Sequence, residues 1–336
     1  MIKMNTGTLK TELKKYGRSV VLAHIKAKLS GNKSDMTDYV IKKHSVSSYE
    51  DLEKELAGVF REAMGYDMDF EHPETFCQKL YWMRLYDATP EKAVFADKYL
   101  VRDIVEEKLG KGHLINLLGV WDSPDDIDFN TLPERFVLKT NHGCGYNIIV
   151  KNKAELDIKE AKKRLRKWLN TDYSMIHPEL QYHNIPRKII AEEYMEQMAD
   201  GDLFDYKIHC FDGVPFFCQV LGGRTEENHS GWQIFYDMDW KRSVIDLGNY
   251  PHCDKEIEKP ACWEEMKKAA GILSKGVDYL RVDLYEADNT YYLGELTCTP
   301  AGGNFPKLSP EGYDKKLGDM IPLGDKYKIK TSRLSS

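Results

Sequence analysis

Asp283 and Glu295 are the residues whose types and spacing most suggest chemistry. Asp283 lies between Val282 and Leu284 in Tyr279–Tyr285, and Glu295 between Gly294 and Leu296 in Tyr291–Thr297. Both stretches read as strands, and the turn Ala287–Thr290 joins them into a hairpin. Alternation puts Arg281 on the face of Asp283 and Thr297 on the face of Glu295. Two carboxylates on neighbouring strands repel unless a cation lies between them. Hard oxygen donors of this kind suit Mg2+ that also binds phosphate oxygens. Arg281 would keep the local charge near balance and could hold an anionic group. The same letters would also make an internal Arg281–Asp283–Glu295 salt-bridge network.

Three further constellations precede this pair. In Val137–Gly145 a lysine, Lys139, sits near a strand end and is followed by His142, Gly143 and Gly145. A fixed cation with several backbone N–H groups can surround a polyphosphate, and the glycines let the backbone approach closely. The letters are neither a P-loop nor the strand–G-x-G-x-x-G–helix of a dinucleotide fold. A surface hairpin with a solvated lysine is the competing reading. Asp205, Lys207 and His209 alternate along one strand face, as a half-exposed strand also would. Glu192, Glu193, Tyr194 and Met195 close an apolar strand where backbone groups and a carboxylate could read an adenine edge, or simply end the strand.

The elements that must position these residues follow from periodicity. Helical spacing is expected over Thr8–Leu29, Tyr49–Met64, the segment opened by His72–Pro73, Ala96–Lys108, Ala154–Leu169 and Trp263–Lys275. Strands are expected at Leu114–Val120, Phe136–Thr140, Asn147–Val150, Lys188–Ala191, Asp205–Phe211 and Val214–Leu221, besides the last hairpin. The stripe Leu80–Tyr86 is aromatic enough to line a ligand, but at helical spacing it reads as core. Arg224 reads as a surface arginine and Lys326–Lys330 as a solvated tail. The sum is a mixed α/β (α+β) protein with two antiparallel layers.

Composition removes other classes. The 336 residues carry a net charge of -6, and 42% of them are hydrophobic. No overall basic field draws the chain to nucleic acid. No apolar run approaches a membrane span, and Met1–Lys15 lacks the apolar core of a signal peptide. The seven scattered cysteines contain no C-x-x-C pair, so neither a zinc ribbon nor a disulfide framework is expected. A soluble, reducing, cytoplasmic setting follows as the expectation.

Taken in order, these pieces resemble the ATP-grasp superfamily, and within it the TupA-like branch associated with teichuronopeptide and surface polysaccharide synthesis. The resemblance runs through Leu80–Asp87, Ala96–Arg102, Leu117–Asp122, Phe136–Gly143, Ile190–Tyr194, Asp205–Lys207, Arg281–Tyr285 and Gly294–Thr297. It implies a helical N-terminal region (1–95), a small lobe with the phosphate loop (96–195) and a large lobe with the metal and substrate site (196–330). ATP would be clamped between two antiparallel layers. Lys139, Lys98 and the His142–Gly145 loop (His142, Gly143, Gly145) would take its phosphates. Glu192, Glu193 and Met195 would take its adenine, and Asp205 and Lys207 would face its ribose–phosphate end or the substrate. Asp283 and Glu295 would hold Mg2+. Lys207 and Arg281 would stabilise charge during transfer. Many relatives end the last motif with Glu-x-Asn; here Thr297 stands in the asparagine place, a poorer ligand.

The implied reaction is ATP-dependent ligation of a carboxylate to an amine through an acyl phosphate. The implied partners are a uronate-bearing saccharide or nucleotide-sugar and an amine donor. The alternative is a glycosyltransferase, for which Asp237-Met-Asp239 supplies the letters of a metal motif, although it reads more naturally as a turn after a strand.

Overall fold

Alternating apolar and polar residues form nine strands among the described residues of this computed structural model, which are residues 12–13, 16–31, 35–195, 203–223 and 231–323. They are β1 (Leu117–Trp121), β2 (Phe136–Thr140), β3 (Asn147–Val150), β4 (Ile189–Glu193), β5 (Asp205–Phe211), β6 (Val214–Gly222), β7 (Trp232–Asp237), β8 (Tyr279–Ala287) and β9 (Thr290–Thr297). Two antiparallel sheets result, ordered β1-β4-β2-β3 and β7-β6-β5-β8-β9. Most of Thr8–Gly17, together with Arg224 and Lys326–Lys330, lies outside the described residues.

The helices are α1 (Arg18–Leu29), α2 (Met36–His44), α3 (Tyr49–Met64), α4 (Phe76–Tyr86), α5 (Pro90–Ala96), α6 (Val101–Leu109), α7 (Ile158–Leu169), α8 (Trp263–Ser274) and α9 (Tyr313–Asp319). Reciprocal capping boxes open α3 at Ser48 and α4 at Thr75. The helix expected over Ala96–Lys108 starts only at Val101, as α6; Ala96 ends the preceding α5, and residues 97–100 form the turn between them. The Asp97 carboxylate accepts from the N–H groups of Tyr99 (2.8 Å) and Leu100 (3.2 Å), and this local bonding competes with a continuous helix. The break projects Lys98 from a turn rather than from a helix flank.

Each sheet gives one face to the core. In the small sheet Phe136, Leu138, Ile189 and Ala191 pack on Ala161 and Leu165 of α7. Their neighbours Val137, Lys139, Ile190 and Glu192 therefore point the other way. In the large sheet Ile208, Cys210, Val282 and Leu284 pack on Trp263, Met266 and Leu273 of α8. Its opposite face is divided. Phe211, Phe217, Phe235 and Tyr279 meet α4 through Phe76, and the same cluster takes in Leu52, Leu56 and Phe60 of α3. The aromatic stripe of α4 is thus core, with Leu80, Tyr81 and Trp82 fully buried. Above that aromatic half the same face is polar.

Candidate active site

The polar half of the large sheet holds the charged residues in register. Lys207 on β5 pairs with Asp283 on β8, which pairs with Glu295 on β9; one step along, His209, Arg281 and Thr297 form the next row. A bulge fixes this arrangement. Asp283 opposes Glu295 but Leu284 opposes Leu293, so Gly294 is the extra residue on β9. Leu293 and Leu296 can then both face the core while Glu295 faces the charges. A side chain at Gly294 would come within 2.6 Å of the Tyr285 ring.

Asp283 is gripped from two sides. Arg281 donates to its Oδ1 from Nε (2.6 Å) and to its Oδ2 from a terminal nitrogen (2.7 Å), and Lys207 Nζ lies 2.5 Å from Oδ2. The same ammonium is 2.6 Å from Asp205 Oδ2. Arg281 also donates to the Thr297 hydroxyl at 3.0 Å. Burial would raise the Asp283 carboxyl, but Arg281 and Lys207 outweigh it and hold the group below its ordinary value. Glu295 is likewise kept low against burial, here chiefly by Lys98. Three acids (Asp205, Asp283, Glu295) thus face three bases (Lys207, Arg281, Lys98). The chain itself supplies cations to both carboxylates: Arg281 and Lys207 bridge Asp283, while Glu295 is bridged by Lys98 rather than by Arg281.

Lys98 joins the two sheets. Its ammonium donates to the Gly143 carbonyl at 2.9 Å and lies 3.2 Å from Glu295 Oε1. Its backbone N–H donates to the Asn141 carbonyl at 3.1 Å. Asn141 is fully buried. Its side chain donates to Asp97 and to the Pro186 carbonyl (both 2.8 Å) and accepts from Lys188 N–H at 2.7 Å, tying the root of the β2–β3 turn to the Lys98 turn and to β4.

The β2–β3 tip itself is shaped by aromatics. Tyr146 stacks on Trp168 of α7 at 5.2 Å. A Cβ on Gly143 would come within 2.9 Å of both Tyr146 and Tyr173, so only glycine fits there; Gly145 has φ +73°, where glycine is favoured. His142 does not face the crevice through its ring. It is buried, its Nε2–H donates to the Trp168 carbonyl at 3.2 Å, and burial with the nearby Arg187 charge pushes it down to about 4, so it is neutral at pH 7. What the tip presents is backbone and the exposed Cys144.

On the small sheet Lys139 Nζ lies 2.6 Å from Glu192 Oε2, and Arg102 reaches Glu192 Oε1 at 3.2 Å. Glu193 is held at the surface by Asn116 (3.0 Å), and Met195 is buried beside Ile115 and Ala287. The residues lining a narrow crevice between the sheets include Phe95, Lys98, Arg102, Lys139, Glu192 and Glu295. Of the eleven residues that line it, the sequence reading named four as site residues, Lys98, Lys139, Glu192 and Glu295. It missed Arg102, whose place four residues after Lys98 at the start of α6 was a usable signal, and Asn141, which is indistinguishable in sequence from any turn asparagine. Asp237 does not sit in this region. Its Oδ1 accepts from the N–H groups of Asp239 and Lys241 (both 2.9 Å), closing the turn after β7.

Residues 78–322 match the family described as TupA-like ATPgrasp. The chain belongs to the TupA-like ATP-grasp family. Every residue of the crevice lies inside the matched span, and α1–α3 lie outside it. The ATP-grasp chain also resembles solved structures at low identity. D-alanine–D-alanine ligase from Bacillus anthracis complexed with ATP is 17% identical, over 71% of this chain and 68% of that one, with a TM-score of 0.41. The ATP-grasp ligase PsnB complexed with minimal precursor is 12% identical over 70% and 61% (TM-score 0.39), and D-cycloserine synthetase DcsG is 15% identical over 74% and 73% (TM-score 0.38). No curated protein matches the chain.

The donor set fits the Mg2+ that an ATP-grasp protein calls for, in part. Asp283 and Glu295 are directly opposed, both oxygen-only and both held ionised. Among the described residues no group of three or more metal-ligating side chains occurs, so two carboxylates are what the chain offers, leaving other positions to phosphate and water.

Proposed function

We propose that this chain is an ATP- and Mg2+-dependent, ADP-forming carboxylate–amine ligase. Its acceptor would be the uronate carboxylate of a capsular or teichuronic-type polysaccharide or of its precursor, and its second substrate an amino acid or small amine. The family supports the chemistry, and the polysaccharide assignment rests on the resemblance to the TupA-like branch alone. We also propose the lobe division 96–195 and 196–330 behind a helical region 1–95, and a cytoplasmic location, where ATP is available. No described helix is long and apolar enough to cross a membrane.

The observation that carries the reading is Lys98. One ammonium touches both the glycine turn of the small sheet and the Glu295 carboxylate of the large one. A triphosphate in that crevice would meet Lys139 from the small sheet, Lys98 from the turn before α6, and Lys207 and Arg281 from the large sheet. Backbone N–H groups at Gly143 and Gly145 would lie against it, and Glu192, with backbone groups near Glu193 and Met195, would take the base. Asp205 would stand at the ribose–phosphate end. Mg2+ held by Asp283 and Glu295 would neutralise phosphate charge.

Catalysis is then positioning and charge stabilisation. A carboxylate oxygen of the acceptor attacks the γ-phosphorus, and the bond to the ADP oxygen breaks. The resulting acyl phosphate is attacked by the amine, forming the C–N bond and expelling phosphate. Arg281, pushed upward in pKa by Asp283 against burial, stays cationic throughout and stabilises the developing negative charge. The tip over the crevice excludes water that would hydrolyse the acyl phosphate.

Protein supplied with Mg2+–ATP, a uronate-bearing acceptor and pooled amino acids should release ADP and phosphate. AMP and pyrophosphate would instead show adenylation. Asp283→Asn and Glu295→Gln should each abolish turnover while leaving the melting transition cooperative; wild-type rates in either would refute the metal assignment.

A further inference from the structure

The turns between α7 and β4 reach the charged row from outside it. Tyr173–Met175 and Leu180–Tyr182 are short 3-10 turns, and Glu179 N–H donates to the Ser174 carbonyl at 3.0 Å to close the segment. Glu179 and Gln181 both end on Thr299, which follows Glu295 and Thr297 at the same two-residue spacing. The Thr299 hydroxyl donates to Glu179 Oε1 at 2.7 Å and accepts from Gln181 Nε2 at 2.8 Å. Gln181 is only 4% exposed, and with its amide N–H committed, its Oε1 has no partner. A buried acceptor left unmet in this way needs an explanation.

The surroundings supply one. Glu295 lies within electrostatic reach of Glu179, Tyr173, Tyr182 and Cys144, which groups them at the tip end of the crevice. The Tyr173 and Tyr182 rings pack edge to face at 5.0 Å. The one cation acting strongly on Glu179, Arg84, is committed to the carbonyls of Pro178 and Gly302, at 3.0 Å each. Two acceptors beside aromatic rings, with the local arginine turned to backbone, suit an N–H-rich cation.

We propose that Glu179 and Gln181 form the subsite for the amine donor, with Glu179 taking the proton that an ammonium must lose before its nitrogen can attack. This rests on the ligase reading above. The ammonium gives one proton to the Glu179 carboxylate and becomes a neutral amine. Its lone pair forms the C–N bond, the C–O bond to phosphate breaks with its electrons leaving on the phosphate oxygen, and the second N–H proton goes to that phosphate. Burial lifts the Glu179 carboxyl above its ordinary value and Glu295 adds to the lift, against Arg84 and the Thr299 hydrogen bond; this direction favours a base.

The test uses the full chain with Mg2+–ATP and glucuronate, and two nucleophiles in parallel: a pool of the common amino acids, and hydroxylamine, which is mostly unprotonated at neutral pH. Glu179→Gln keeps the size and the Thr299 contact. It should lower amide formation on the order of a hundredfold or more while leaving hydroxamate formation within about threefold of wild type. It should also make amide formation climb with pH as the free-amine fraction grows, replacing the acid-side limb that the Glu179 carboxylate sets in the wild type. Gln181→Leu should raise KM for the amine and leave KM for ATP unchanged. Equal loss of amide and hydroxamate in Glu179→Gln, or amide formation at the wild-type rate, would overturn the subsite. Absence of hydroxamate from the wild type would overturn the ligase reading, and the subsite with it.

Discussion

At Asp283 a buried carboxylate meets Arg281 and Lys207 together, and Lys207 also serves Asp205. Removing Lys207 leaves two buried acids sharing fewer cations. Lys207→Met should therefore destabilise by about 3–5 kcal/mol, read as a lower urea midpoint, whereas a change under about 1 kcal/mol would mean that Arg281 alone suffices. His142 gives a pH signature. Its folded-state value is depressed to about 4 from 6.5, so between those values the unfolded chain binds more protons and stability rises with pH. Acidification through that window should cost up to about 3 kcal/mol, and His142→Gln should flatten the slope. Asp283 and Glu295 act lower on the scale: their contribution is present above the ordinary carboxylate range and lost as pH falls through their depressed values. Alternation made it legible that Arg281 shares the face of Asp283 and Thr297 that of Glu295, whereas the bulge at Gly294 is what brings the two strands' acids together. That His142 turns inward was not legible, since nothing local distinguishes a ring that donates to the Trp168 carbonyl from one that faces a ligand.

Among the elements, the β2–β3 hairpin and the α4–α9 contact are the least forgiving. Gly143→Ala would press a methyl against Tyr146 and Tyr173. Overpacking of this kind costs about 1–3 kcal/mol, and because the tip must move, KM for ATP should rise several-fold. Unchanged KM with normal stability would show that the tip tolerates displacement. Gly318 in α9 is more constrained: a Cβ there would come 2.2 Å from the Glu74 carbonyl oxygen, at the start of α4. Gly318→Ala should lower Tm substantially. Hairpins and amphipathic helices were readable from period and turn residues, as at Tyr49–Met64 and Asp205–Phe211. The break at Asp97 and the bulge at Gly294 were not, because each is a side-chain or packing decision that overrides the local period. Glu179 lies between two 3-10 turns, in a segment with no periodic signal at all.

For the whole molecule, the family span begins at residue 78 but the core does not. Leu52, Leu56 and Phe60 share one cluster with α4 and the large sheet, and Phe60 meets Tyr81 edge to face at 4.9 Å. Further out, Tyr16, Val20, Met36 and Val40 pack on Ile176, with Tyr146 and Tyr173 at the margin, and His44 donates to the Met175 carbonyl at 2.6 Å. A chain starting at Thr75 should therefore lose its cooperative melt and bind a hydrophobic dye. A sharp transition in that truncation would show that the helices are an accessory. No sequence motif marked residues 1–75, since their contribution is apolar area rather than chemistry.

Lys98 has one more consequence. With its ammonium on Glu295 and on the Gly143 carbonyl, the crevice carries its own counter-ion at rest. A nucleotide arriving with its metal then exchanges one ionic contact for another instead of adding charge to a bare surface. Its affinity should accordingly weaken across a salt series less steeply than a triphosphate's formal charge would dictate.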